Sequence, residues 1–281
     1  MATWFITGAS RGLGAEIARA ALAGGDDVVV AARDLGRLPD DLTTSDHVLG
    51  VELDVTRSEQ IPAAVQAAVE RFGGIDVLVN NAGRGLLGAV EEITDAEARS
   101  LFDLNVFALI DMTRAVLPVM RGQGAGKIVN IGSRSGFEGE PGVGLYCASK
   151  FAVAGLSESL SKELAPFGIQ SMVVEPGVLR TDFLDASSLS LPSSRIAEYD
   201  GTPAHVTLDW VGTANHTQLG DPVKSAALIH EVTSQDQLPT HLYLGPDTLD
   251  RLQVKLDQIE QDLAPWREKS AATAHDDATA A

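Results

Sequence analysis

The amino-acid sequence predicts one α/β domain built on a doubly wound parallel sheet, with helices on both faces. Three observations predict it. Short apolar runs alternate with stretches of helical periodicity from Thr3 to Gly177. Those runs are apolar on successive residues, as strands covered on both faces require. A glycine-rich stretch, TGASRGLG at residues 7–14, stands at the first strand-to-helix junction. With 281 residues, 44% of them hydrophobic, the chain can bury a full core.

The elements follow in order. Residues 3–7 (TWFIT) read as a strand. Residues 14–25 read as a helix, with Ile17, Ala21 and Leu22 on one face and a Gly-Gly stop. Strands follow at 27–32 and 47–55. Residues 58–73 form a helix, with Ser58 the expected N-cap and Gly73 the stop. A strand at 75–83 precedes one long helix over 95–122. A strand at 126–133, a helix opening in GLYCASKFAVAGLSES (144–159) and a strand at 169–177 complete the regular pattern. Right-handed crossovers between such strands make the sheet parallel.

The rhythm then breaks. Residues 182–221 are rich in Ser, Thr, Pro and Gly, with Leu184, Leu189, Leu191, Tyr199, Leu208 and Trp210 interspersed. A loop of that length is either a floppy insertion or a functional one. The apolar residues favour a lid that walls a substrate pocket. A helix at 222–233, a last strand at 240–245 and an amphipathic helix at 248–266 follow. The domain is expected to span 1–266, with 267–281 a low-complexity, frayed tail.

Composition excludes several function classes. A formal charge of −18 repels phosphate backbones, so no nucleic-acid partner is expected. Cys147 is the single cysteine, so no intramolecular disulfide can form. The histidines, His47 to His275, show no ligand spacing, and no metal site is expected. No signal-peptide pattern and no apolar run of membrane-spanning length occurs, so a cytoplasmic protein without a membrane partner is expected.

The turn at 7–14 has the residues a dinucleotide needs. Gly8 allows a tight turn, Gly12 allows backbone to approach a pyrophosphate, and Gly14 allows helix and strand to pack closely. Ser10, Arg11 and Leu13 fill out the turn. The helix N-terminus offers free N–H groups and partial positive charge to phosphates. The second strand ends VVVAARD. Ala32 stands where an acid for the adenosine ribose is expected, and Arg33 follows. Arg11 and Arg33 converging on a 2′-phosphate favour NADP(H). Asp34, one residue on, keeps NAD(H) as the alternative.

TGASRGLG, NNAG (80–83), Asn105, Ser133, YCASK (146–150) and PGVLRT (176–181) stand in one order. Together they resemble the short-chain dehydrogenase/reductase family, in its single-domain branch with a Tyr-x-x-x-Lys motif and a Rossmann-type fold. The resemblance covers Thr3 to Thr181, with a looser match to Tyr243. Two positions depart from the common pattern. Gly132 precedes the serine where the family often has Ser, which makes Ser135 a competitor for the hydroxyl role. Arg84 follows NNAG where relatives often have a small or aromatic residue, and there it borders the substrate.

Tyr146 and Lys150, four residues apart, share a helix face. An ammonium beside a phenol favours phenolate and lowers its pKa from about 10, so Tyr146 is expected to act as proton donor and acceptor. The resemblance implies the other roles. Ser133 bonds the substrate oxygen. Lys150 holds the nicotinamide ribose, and Asn105, within the long helix, holds a water of the proton relay. Thr181 and the Val178 backbone anchor the carboxamide, and Pro176 and Gly177 also bind the cofactor. Asn81, Ala82 and Gly83 line the cofactor, Asp54 accepts the adenine amino group and Val55 lies beside it. The expected activity is an NADP(H)-dependent interconversion of ketone or aldehyde and alcohol, a carbonyl reductase on a bulky apolar small molecule. The alternatives are an NAD(H)-dependent hydroxysteroid or retinol-type dehydrogenase, and a cofactor-sensing protein without turnover. The resemblance further implies a homodimer or homotetramer.

Overall fold

The computed structural model describes residues 1–275. Seven strands form one parallel sheet: β1 (Thr3–Thr7), β2 (Asp27–Ala32), β3 (Val48–Glu52), β4 (Val77–Asn80), β6 (Gly126–Ile131), β7 (Ile169–Pro176) and β9 (His241–Leu244). Their order across the sheet is β3-β2-β1-β4-β6-β7-β9. The chain winds outward from β1 to β3, then returns to the other side of β1 for β4. The crevice between the carboxyl ends of β1 and β4 is therefore the switch point, where such sheets bind ligands.

The strands are apolar on both faces because both are covered. Trp4 and Ile6 point to one side with Val28, Val30 and Val79, against α1 (Gly12–Ala23) and α7 (Pro222–Thr233). Phe5, Val29 and Leu78 point to the other, against α2 (Ile61–Phe72), α4 (Ala108–Gln123) and α5 (Gly144–Glu163). Each such fully buried side chain contributes about 1.5–3 kcal/mol. Polar side chains inside this core pair with one another: Asn80 donates to Asn130 at 2.8 Å, and Asn130 donates to Ser157 at 2.9 Å.

Four expectations need correction. The N-cap of α2 is Gln60 rather than Ser58, because 58–60 form a separate 3-10 turn; Gly73 does close α2, at φ +86°. The long helix is broken into α3 (Asp95–Phe102), a wide π turn over Asp103–Phe107, and α4. The stretch 182–221 is not a bare loop. It holds a two-residue strand, β8 (Leu189–Ser190), parallel to β5 (Gly85–Leu86), and a helix, α6 (Pro203–Ala214). The C-terminal helix α8 spans Pro246–Leu263, and the expected tail begins with a further helical turn, α9 (Arg267–Ala271). Residues 276–281 of that tail lie outside the described residues.

The insertion is pinned to the body by a buried pair. The His205 ring on α6 is fully enclosed, with Nε2 at 2.7 Å from Glu92 and Nδ1 at 3.0 Å from Asp200. The Glu92 carboxylate also accepts the N–H of Ala89 and of Ile196. Burial pulls the imidazolium down, but the bonds to Glu92 and Asp200 outweigh it and hold the pKa above the ordinary histidine value. Burial likewise pushes Glu92 up, and the N–H of Ile196 and the His205 ring bring it below the ordinary value. No helix among the described residues is long and apolar enough to cross a membrane.

Candidate active site

A cleft of about 720 Å³ opens at the switch point. Every residue expected to bind cofactor lines it except Gly14. Gly14 lies just behind, where a Cβ would collide with the Asn81 side chain and the Gly8 carbonyl. Gly8 and Gly12 take φ of +67° and +57°, which side-chain-bearing residues rarely adopt. Asn81 fastens the two glycine segments together, its Nδ2 donating to the Thr7 and Gly8 carbonyls at 2.9 and 3.1 Å.

Whether this cleft fits a dinucleotide is tested by the α1 N-terminus. Arg11 is its N-cap residue, and its guanidinium has no acceptor to offer the first-turn amides. Those N–H groups stay available, at the positive end of the helix dipole, to a pyrophosphate. The fit is therefore good, and the glycines at 8 and 12 keep side chains out of that space.

The catalytic candidates converge on the same cleft. Tyr146, 8% exposed, stands in the first turn of α5, and Lys150 follows one turn on. The Lys150 Nζ lies 5.8 Å from the Tyr146 ring centre and donates to the Ile131 carbonyl at 2.7 Å. Ser133, at the end of β6, is extended, with its hydroxyl accepting the Ser135 N–H at 3.1 Å. Ser133 lies beside the Tyr146 phenol and opposes its shift, whereas the Ser135 hydroxyl turns to Glu140 at 3.4 Å. The geometry thus separates the two serines.

The expected acidification of Tyr146 is not what this structure has. Burial pushes the phenol well above the ordinary tyrosine value, and the nearby Ser133 hydroxyl only partly opposes it. Burial alone pulls Lys150 down to about 8. Desolvation outweighs the neighbouring charge because both groups are enclosed.

Other residues stand differently from expectation. The Arg11 guanidinium reaches across to the insertion, 2.8 Å from the Ser187 hydroxyl and 2.7 Å from that of Ser188, rather than toward the adenosine end. The Val178 N–H, expected to meet a carboxamide, donates to Asp247 at 3.1 Å. Thr181 Oγ1 accepts the Phe183 N–H at 3.3 Å while still facing the cleft. Asp54 accepts the N–H and hydroxyl of Thr56 at 3.0 and 2.7 Å and lies beside Arg33. Asn105 sits in the π turn, not in regular helix, and does not line the cleft. Its side chain bridges the Arg84 backbone and the Ser149 hydroxyl. Sequence reasoning missed Asp247 and the Arg134–Glu140 pair at 3.1 Å. Asp247 has no signal in the motifs because α8 meets the site only through the fold, and Arg134, next to Ser133, shows its partner only once the chain is folded.

The insertion supplies apolar wall. Phe183, Leu184 and Leu189 pack with Leu86, Val143 and Tyr146, and the Phe183 ring centre is 6.0 Å from that of Tyr146. The described residues also bring ligand atoms of Asp182, Asp185 and His216 within 4.8 Å of one another, a grouping that histidine spacing did not reveal.

Comparison with known proteins agrees with this geometry. The family model for short chain dehydrogenases matches residues 2–190. Oxidoreductase BOA17 of Botryotinia fuckeliana is 35% identical over 277 residues, covering 96% of this chain and 98% of that protein. A short-chain dehydrogenase structure from Streptomyces avermitilis superposes with a TM-score of 0.88 at 39% identity, covering 98% of this chain and all of that one. A Burkholderia phymatum relative solved with NAD has a TM-score of 0.81 at 28% identity, covering 93% and 95%. A Thermococcus sibiricus alcohol dehydrogenase solved with 5-hydroxy-NADP has 0.71 at 25%, covering 87% and 96%. A sheet wound about a dinucleotide cleft, a Tyr-x-x-x-Lys helix beside it and these likenesses make the chain an oxidoreductase of the short-chain dehydrogenase/reductase family.

Proposed function

We propose that the protein is an NADP(H)-dependent carbonyl reductase, interconverting a ketone or aldehyde on a bulky apolar small molecule with its alcohol. The observation that carries the reading is the enclosed Tyr146 phenol, one helical turn from Lys150 and lining the same cleft as Ser133. The bound cofactor supplies the hydride. Ser133 holds the substrate oxygen and stabilises the charge that grows on it. Tyr146, which burial keeps protonated, delivers the proton as a general acid. Lys150 stabilises the phenolate left behind and binds the nicotinamide ribose. Asn105 braces the Ser149 turn beneath them. A phenol held in its protonated form suits the reductive direction.

Arg33 supports the phosphorylated cofactor. It lies on the cleft wall, while the Asp34 carboxylate turns away to the Gly36 N–H at 3.0 Å and to Arg37 at 3.4 Å. Ala32 leaves no acid to repel a 2′-phosphate. Arg11 is otherwise engaged, so the preference rests on Arg33. The same reading takes the protein as a cytoplasmic homodimer or homotetramer.

The test is NADPH oxidation across aryl ketones, aldehydes, steroids and retinoids. Turnover that falls by about 10²-fold or more in Tyr146→Phe, with cofactor affinity retained, supports the reading. Tight NADPH binding with no oxidation by any compound would leave a cofactor sensor instead.

A further inference from the structure

Among the described residues, Arg84 is the one cleft arginine whose Nε is buried without a partner. Among the described residues its guanidinium makes no hydrogen bond and no ion pair. Arg11 and Arg134 on the same cleft are satisfied, by Ser187 and Ser188 and by Glu140 and Asp247. In a chain carrying 39 acidic against 21 basic residues, a cleft guanidinium without a carboxylate calls for an explanation. Leaving a buried donor unmet costs stability, and the Arg84 Nη groups, which are neither buried nor hydrogen-bonded among the described residues, are the atoms a ligand in the cleft can reach.

The mount of Arg84 is rigid. Its N–H donates to Asn105 Oδ1 at 3.0 Å, and its carbonyl accepts from Asn105 Nδ2 at 2.9 Å. Asn105 also donates to Ser149, and Ser149 donates to the Tyr146 carbonyl at 2.7 Å. Arg84 is thus chained to the helix that carries the phenol. The adenosine end of the cleft has its own cation in Arg33, and the pyrophosphate has the α1 N-terminus, so the dinucleotide leaves Arg84 unclaimed. The walls beyond it are apolar, from Leu87, Val143, Phe183, Leu184 and Trp210.

We propose that Arg84 anchors a carboxylate on the substrate, so that the substrate class is apolar oxo acids and the corresponding hydroxy acids. The proposal rests on the reductase reading above. The guanidinium takes the carboxylate, the insertion covers the apolar body, and the carbonyl falls to Ser133 and Tyr146. An acidic protein surface repels such a substrate at long range, which leaves recognition to this local cation.

The test compares phenylglyoxylate, 3-benzoylpropionate and 4-benzoylbutyrate with their methyl esters, as NADPH oxidation by wild type, Arg84→Met and Arg84→Lys. Wild type is expected to prefer at least one acid over its ester by about tenfold or more in kcat/KM, expressed in KM, since a charge-assisted bond is worth that ratio. Arg84→Met should collapse the preference and Arg84→Lys restore part of it. Esters reduced as well as every acid by wild type, or a preference that survives Arg84→Met, overturn the proposal. So does a loss in Arg84→Met that appears in NADPH affinity instead, which would make the cofactor phosphates the ligand. If no ketone is reduced, the reductase reading fails by itself. Calorimetry with 4-phenylbutyrate on the NADP-loaded protein then decides the subsite: about tenfold weaker binding to Arg84→Met keeps it, and equal binding removes it.

Discussion

Tyr146 and Lys150 carry opposite consequences of the same burial. The phenol is held protonated and the ammonium is brought to about 8. The depressed lysine value means the unfolded chain binds the proton more tightly, so the cost of enclosing the ammonium is present below pH 8 and relieved as pH rises from about 8 toward 10.5. Lys150→Met should therefore melt higher than cofactor-free wild type at pH 7, with the difference shrinking above pH 8. Reduction needs the ammonium to stabilise the phenolate, so kcat/KM should fall as pH rises through about 8. A flat profile to pH 9.5 counts against that role. For Arg33, loss of one or two charge-assisted bonds predicts that Arg33→Ala raises the KM for NADPH by about tenfold to hundredfold. Equal effects on NADPH and NADH remove Arg33 from cofactor choice.

The insertion is an element whose grip on the body is electrostatic as well as apolar. His205 bonds Glu92 and Asp200, stacks obliquely on Tyr199 at 5.8 Å, and faces the Arg195 cation, whose charge opposes its protonation. Its pKa is raised, so its contribution is full below the ordinary histidine value of 6.5 and is lost as pH rises through the folded value. Glu92 is lowered from 4.5, so its contribution is present above that value and is lost as pH falls. The insertion is held best between those limits. Limited proteolysis should cut within 182–221 faster in His205→Gln than in wild type at pH 6, with the gap narrowing at pH 8. A gap that widens with pH contradicts the pairing. Because α6 carries Trp210 and Val211 into the cleft, the same substitution should raise KM more than it lowers kcat.

For the molecule as a whole, the charge of −18 keeps copies apart except where apolar surface is offered. Phe107 and Phe151 offer it, 55% and 43% exposed on the two neighbouring helical segments that brace the site. A homodimer or tetramer through that face predicts a multiple of 29.5 kDa in sedimentation at micromolar concentration, shifted toward monomer by Phe151→Arg. A wild-type monomer refutes it. Since Asn105 and Tyr146 stand on those same segments, the variant should also lose activity in step with mass.

The order of strands and helices, the glycine turn and the Tyr-x-x-x-Lys pair were legible in the amino-acid order alone. Each depends on short-range periodicity or on a backbone angle that one residue type permits, and such signals survive without neighbours. The helix α6 hid in a segment of turn-forming residues, because what holds it, Glu92 and Asp200 on His205 and the packing of Leu208 and Val211, comes from outside the segment or from the fold. The destination of Arg11, the engagement of Val178 by Asp247 and the direction of the Tyr146 pKa were equally out of reach. All three are set by which distant groups the fold brings within hydrogen-bond range and by how much water it leaves there. Local chemistry nominated the residues; desolvation and long-range contact decided their charge, their partners and which of them remained free for a ligand.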